Sequence, residues 1–221
     1  MPLPAVKPQQ RRWLSQLRSR FGNECVVEWR AFVDRQDRYC PHLDLAVGPF
    51  STVPGERKVE EYRLLSGTHR AFLNELWTCH SQNEARLGFQ DDQCAADLDE
   101  ALSANRNARC FLAIEIENVV SRKHLMGGVV NATALGHLGI LIGWTADKVR
   151  ALFRARKYLH FLTRVGKPAI AVGNLLVLGR DQARDVFSIA EPLLNTRLKL
   201  AARVNRGQSL SSARRSPSAL R

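Results

Sequence analysis

From Arg11 to Phe21 the apolar residues Trp13, Leu14, Leu17 and Phe21 recur at the spacing of one helix face, and Gly22-Asn23 supplies a C-terminal stop. The next run, Cys25 to Val33, alternates instead. Alternation puts Cys25, Val27, Trp29, Ala31 and Val33 on one face of a strand and Glu28 and Arg30 on the other. After a polar connection from Asp34 to Pro41, Leu43 to Val47 alternates again and ends at Gly48-Pro49, so the two strands are expected to pair as an antiparallel hairpin. Lys58 to His80 carries Val59, Tyr62, Leu65, Phe72, Leu73 and Leu76 at helical spacing, with Gly67 placed to bend the helix, and Cys94 to Leu102 reads as a short helix.

Cys110 to Glu117 is a third strand. Lys123 to Leu135 is a helix rich in small residues (Gly127, Gly128, Ala132, Ala134), suited to close approach to a sheet. Leu138 to Trp144 is almost continuously apolar, the pattern of a central strand buried on both faces. Thr145 is positioned to cap a helix from Ala146 to about Thr163. Ala169 to Val172 and Leu175 to Leu178 read as further strand, and Gly179 opens a last helix through Leu193. The order predicts an α/β fold, a mixed central sheet flanked by helices.

Length and composition add boundaries. A chain of 221 residues with 45% hydrophobic content suits one domain. The Pro-rich residues 1–10 read as a flexible leader, 11–200 as a single α/β domain and 201–221 as a basic disordered tail. The longest apolar stretch falls far short of the ~20 residues that span a bilayer, and the opening residues lack the apolar core of a secretory signal. The expectation is a soluble cytoplasmic protein with no membrane insertion. Five cysteines without a C-x-x-C, an odd and widely spaced set, argue against a disulfide framework or structural zinc. Cys25 and Cys110, in apolar runs, are expected to be buried.

Charge is more informative. The net charge is +12, and seven of those positive charges lie from Arg197 onward with no acid among them. A polyanionic partner follows, nucleic acid first and an anionic membrane surface second. A P-loop, a G-x-G pattern and a G-x-S-x-G elbow are all missing, which leaves nucleotide-driven and serine-hydrolase chemistry without support.

The acids are the most suggestive feature. On the third strand Leu112, Ile114 and Ile116 form an apolar face, and Glu115 and Glu117 project together from the opposite one. Asp44 stands opposite Leu43, Leu45 and Val47 in the same way. If the strands are neighbours, Asp44, Glu115 and Glu117 converge into an oxygen-only cluster, the donor set that hard cations such as Mg²⁺ or Mn²⁺ favour. A solvated or Arg-paired face is the plainer reading of the same acids. Glu28 is read as a surface acid or a partner of Arg30, Ser121 as a helix cap, and Asn131 and His137 as packing or solvent-facing groups.

Pro41-His-Leu-Asp44, then Glu115-Ile-Glu117 at the end of an apolar strand, followed by a helix and a further apolar strand, resembles the restriction-endonuclease-like superfamily, PD-(D/E)xK. The resemblance spans Arg11 to Trp144 and implies an αβββαβ core and a Mg²⁺- or Mn²⁺-dependent endonuclease acting on DNA. It implies Asp44 and Glu115 as metal ligands and Glu117 in the place usually held by lysine, as a further ligand or general base. Lys123, one turn into the next helix, would supply the missing positive charge. Arg122 and Lys123, with Arg203, Arg206, Arg214 and Arg215 of the tail, are the expected nucleic-acid contacts. The absent lysine keeps a second expectation alive, a non-catalytic nucleic-acid-binding or partner-binding protein on the same fold. A homodimer is left open.

Overall fold

The computed structural model describes residues 6–32, 40–53, 55–90, 94–118, 122–167 and 170–189. A mixed five-stranded sheet runs β1 (Cys25–Arg30), β2 (His42–Val47), β3 (Cys110–Glu117), β4 (Gly136–Gly143), β5 (Leu175–Gly179), in spatial as in chain order. The first three strands are antiparallel neighbours, and β3, β4 and β5 run parallel. The hairpin-like pairing of the first two strands is as expected. The helices are α1 (Val6–Phe21), α2 (Val59–Thr68), α3 (Arg70–Leu87), α4 (Leu98–Ser103), α5 (Arg122–Leu135), α6 (Ala146–Arg164) and α7 (Arg180–Ser188). All belong to one compact unit that ends at Ile189.

Two apolar layers sandwich the sheet. On one face Trp13 and Leu17 of α1, Phe72 and Leu76 of α3 and Phe187 of α7 meet Leu45, Leu112, Ile114, Ile140 and Leu178. On the other, Val129 and Ala132 of α5 and Leu152 and Phe153 of α6 meet Ala113, Leu141 and Val177. Strand β4 is buried along its whole length, as its continuous apolar run requires. Its glycines are needed for contact. A Cβ on Gly139 would lie 2.8 Å from the Ala132 backbone oxygen of α5, and one on Gly143 would lie 2.5 Å from the Val149 nitrogen of α6.

Several boundaries depart from the pattern. Helix α1 begins at Val6, inside the expected leader, and Gln10 is buried. The long helix expected from Lys58 is two, α2 and α3, separated at His69, which is buried against Phe21. Residues 170–172 form no strand. The single-face assignment of β1 is overturned: Cys25 and Val27 pack in the first layer, Trp29 and Ala31 in the second. Glu28 explains the switch, because its φ of 49° turns the backbone through the left-handed region and reverses the alternation. Leu43, opposite Trp29, follows it into the second layer.

At the other edge, α3 closes β5. The Val177 N–H donates to His80 Nδ1 at 3.1 Å, and Asn83 Nδ2 donates to the Val177 oxygen at 3.1 Å. Beside them Arg156 of α6 donates to Glu84 Oε1 at 2.7 Å, and both side chains are almost wholly buried. All five cysteines are free, and Cys25 and Cys110 are buried as expected. Burial raises both thiols, Cys25 to about 12. Among the described residues no helix is long and apolar enough to cross a membrane. Val33, Ser121, Leu193 and the tail arginines Arg203, Arg206, Arg214 and Arg215 lie outside the described residues.

Candidate active site

Strand β2 pairs with β3 only through Val47, Ala46 and Leu45. At Asp44 the ladder stops and the side chain takes over: Asp44 Oδ2 accepts the Ile116 N–H at 2.7 Å. This turns the carboxylate toward β3 and Glu115, and the two carboxyls hydrogen-bond each other, while the Asp44 N–H donates to Glu115. Leu112, Ile114 and Ile116 lie in the first apolar layer, which leaves Glu115 on the opposite face under α5, as alternation requires. Gly128 makes room there, its nearest contact being the Glu115 side chain. Asn131, one turn further along α5, reaches Glu115 Oε1 at 3.4 Å and the His42 oxygen at 3.3 Å.

Two groups outside the expected set complete the surroundings. Gln10 Nε2 donates to the Asp44 main-chain oxygen at 2.6 Å and to Glu28 Oε1 at 3.3 Å, so α1 ties β1 to β2 beside the pair. Glu28 is close enough for its charge to act on Asp44. Burial, then the Asp44 charge, push the Glu115 carboxyl well above its ordinary range. Burial also raises Asp44, against the Ile116 hydrogen bond and with the help of Glu28. Among the described residues no lysine or arginine acts on either acid. Burial and the neighbouring Asp44 charge thus favour the neutral form of Glu115.

The remaining expected residues are placed differently. Glu117 is buried at the end of β3, beside Gly143 of β4. Among the described residues no three His, Cys, Asp or Glu side chains are grouped to hold a metal ion. What comes together is the Asp44–Glu115 pair, not the expected three-carboxylate cluster. Lys123 and His124 stand exposed in the first turn of α5. Arg122 begins that helix. His137 packs beside Tyr62 and Phe111, with centroid separations of 5.2 and 6.0 Å, and burial lowers its pKa.

A hollow of about 590 Å³ opens at the C-terminal ends of β4 and β5, where the first turns of α6 and α7 begin. Arg86, Trp144, Thr145, Arg180 and Gln182 are among its walls. Thr145 caps α6 as expected, accepting the Lys148 N–H at 3.4 Å. Gln182 Oε1 accepts from Gly179 N at 2.8 Å and from Asn83 Nδ2 at 2.7 Å. Arg180 lies over the Trp144 ring at 5.4 Å. The sequence signal for this hollow was two strand-to-helix turns beginning with glycine, Gly143-Trp-Thr and Gly179-Arg-Asp.

Compared with protein-family models, with curated proteins and with solved structures, the chain matches none.

Proposed function

We propose that the chain is a divalent-metal-dependent nuclease that hydrolyses DNA phosphodiester bonds at the Asp44–Glu115 pair. The observation that carries this reading is a pair of hydrogen-bonded carboxyls, half-buried at a break in the sheet, with no basic group among the described residues acting on them. Two acids in that state fit an oxygen-preferring cation, since Mg²⁺ is commonly held by one or two carboxylates and completed by water and phosphate. The order α1–β1–β2–β3–α5–β4 supports a restriction-endonuclease-like core, with α2, α3 and α4 added between β2 and β3.

Asp44 and Glu115 would hold the ion, which when bound supplies Lewis acidity toward the scissile phosphate and the attacking water. The chain's own residues fix the arrangement. The Ile116 amide aims Asp44, and Asn131 aims Glu115, so both carboxyls are held in place before an ion arrives. Glu117, further along the same strand, is the proposed general base or additional carboxylate. Arg122 and Lys123 at the start of α5, with Arg203, Arg206, Arg214 and Arg215, are proposed to neutralise phosphate. A non-catalytic DNA binder is the second reading, favoured by the glutamate at position 117 and by the two-acid rather than three-acid grouping.

The test is cleavage of plasmid and linear DNA by wild type and Glu115→Gln, with Mg²⁺, Mn²⁺ or EDTA, beside thermal melts in the same buffers. The nuclease reading expects metal-dependent cleavage by wild type and its loss by orders of magnitude in the variant. It also expects Mn²⁺ to raise the melting temperature of wild type only, because an ion that binds the folded form alone stabilises it by mass action. DNA binding without cleavage under any metal would establish the binder. Equal cleavage by both proteins, or cleavage in EDTA, would remove the site.

A further inference from the structure

Helix α6 spends its apolar side on the core: Val149, Leu152, Phe153 and Leu159 are buried in the second layer. Its outer side should then be polar, yet Tyr158 and Phe161 are 54% and 55% exposed there. They stand in a row with cations. Lys157 and Tyr158 follow Arg154 by three and four residues, Phe161 follows them by four and three, and Arg164 lies three beyond, so the five form one stripe along the helix. With His160 these residues line a shallow hollow of about 350 Å³. Six of the nineteen residues of α6 are lysine or arginine, and its one acid, Asp147, lies in the first turn, away from the stripe.

From this arrangement we infer that the outer face of α6 is a binding surface for single-stranded nucleic acid. Two flat aromatic faces flanked on both sides by cations suit a ligand that carries bases beside phosphates. Arg154 to Arg164 covers about 15 Å at the helical rise, room for a short run of nucleotides. A duplex would engage the cations but not the rings, because its bases are already stacked on one another. A membrane surface fits less well, since the larger apolar side of α6 is buried in the core and the exposed apolar groups are interrupted by charge. The surface uses none of the acids of the nuclease reading, and rests on that reading only for the strand's being a substrate.

The experiment is fluorescence anisotropy of labelled oligothymidylate with the full chain, in EDTA, across a salt series. Its arms are labelled duplex DNA and vesicles of mixed phosphatidylserine and phosphatidylcholine. Two variants are compared, Tyr158→Ala/Phe161→Ala and Arg154→Gln/Lys157→Gln/Arg164→Gln, each checked by thermal melting. All five positions are exposed, so both variants should fold. The aromatic variant is expected to lose single-strand affinity about tenfold or more, with its salt slope and its duplex binding unchanged. The cation variant should flatten the single-strand salt slope by about two. Unchanged oligothymidylate binding in the aromatic variant would overturn the inference, as would equal losses on duplex and single strand. So would vesicle binding that the aromatic variant alone abolishes, or a change confined to oligomeric state. Glu115→Gln should bind oligothymidylate like wild type, so failure of cleavage and failure of this surface are read separately.

Discussion

The Asp44 carboxylate accepts the Ile116 amide at 2.7 Å, immediately beyond the Leu45–Ile114 pairing where β2 and β3 cease to run as a ladder. One side chain thus ends a strand pairing and presents a carboxyl to Glu115.

The two roles separate by substitution. Asp44→Asn keeps an oxygen for Ile116 and should leave stability within about 1 kcal/mol, whereas Asp44→Ala strands a partly buried N–H and should cost roughly 1–3 kcal/mol. Urea denaturation of the two variants checks this. Both should lose metal-dependent cleavage equally.

A carboxyl whose pKa is raised on folding binds its proton more tightly in the folded state, so its stabilising contribution is complete below the ordinary value. It is lost as pH rises through the folded one. Glu115, raised well above its ordinary 4.5, should therefore make the metal-free protein less stable as pH climbs from that value. Glu115→Gln removes this dependence, so wild type should fall behind the variant with rising pH. Each kcal/mol relieved should appear as about 2–4 °C in the midpoint. His80 and His137, both lowered by burial, work in the opposite sense and destabilise as pH falls below 6.5. The quantity to measure is the difference between the two melting curves at each pH in EDTA. A constant difference across the range would show that Glu115 is not strained by its charge.

The Arg156–Glu84 pair joins α6 to α3 beneath the second layer. Removing one partner leaves the other buried and uncompensated, so Glu84→Gln and Arg156→Met should each cost about 3–5 kcal/mol. The double variant should cost less than the sum. Denaturation of the three proteins gives the cycle, and additive losses would mean that the pair is energetically independent.

Gly143→Ala places a methyl group 2.5 Å from the Val149 nitrogen. Backbone cannot yield as a side chain tip can, and a loss of roughly 3 kcal/mol is expected, the upper range for overpacking. Gly128→Ala meets only ordinary contacts with Glu115 and should melt near wild type. Comparing the two melts checks the contrast.

Periodicity carried much of the architecture. The strands at Cys110 and Leu138 and the helices at Lys123 and Ala146 all stand close to where alternation and helical spacing put them, because each has one face or both faces committed to the core. The faces of the first two strands were less readable, since nothing in the residue types announces a left-handed backbone at Glu28. The leader was misjudged for a related reason: Pro-rich composition outweighed a helix whose value lies in Gln10, a polar residue buried by its hydrogen bonds to β1 and β2. Within the site, Asp44 and Glu115 were legible as strand acids. Asn131 was not, because an amide on a small-residue helix has no signature until the opposing carboxyl is in place. The stripe on α6 was hidden by the same periodicity that revealed the helix: the buried apolar side accounts for the spacing, and the exposed aromatics read as part of it.

The closure of β5 by His80 and Asn83 has a consequence for the behaviour of the chain in concentrated solution. An edge strand with four buried aliphatic residues in its five would invite another chain to add itself in register. Here the central amide and carbonyl of that edge, those of Val177, are already occupied by side chains. At the opposite edge β1 is broken in direction at Glu28. Neither margin offers a long flat template, which protects the chain against sheet-to-sheet polymerisation. That protection is weakest in acid, where protonation would convert His80 Nδ1 from acceptor to donor and release the Val177 amide.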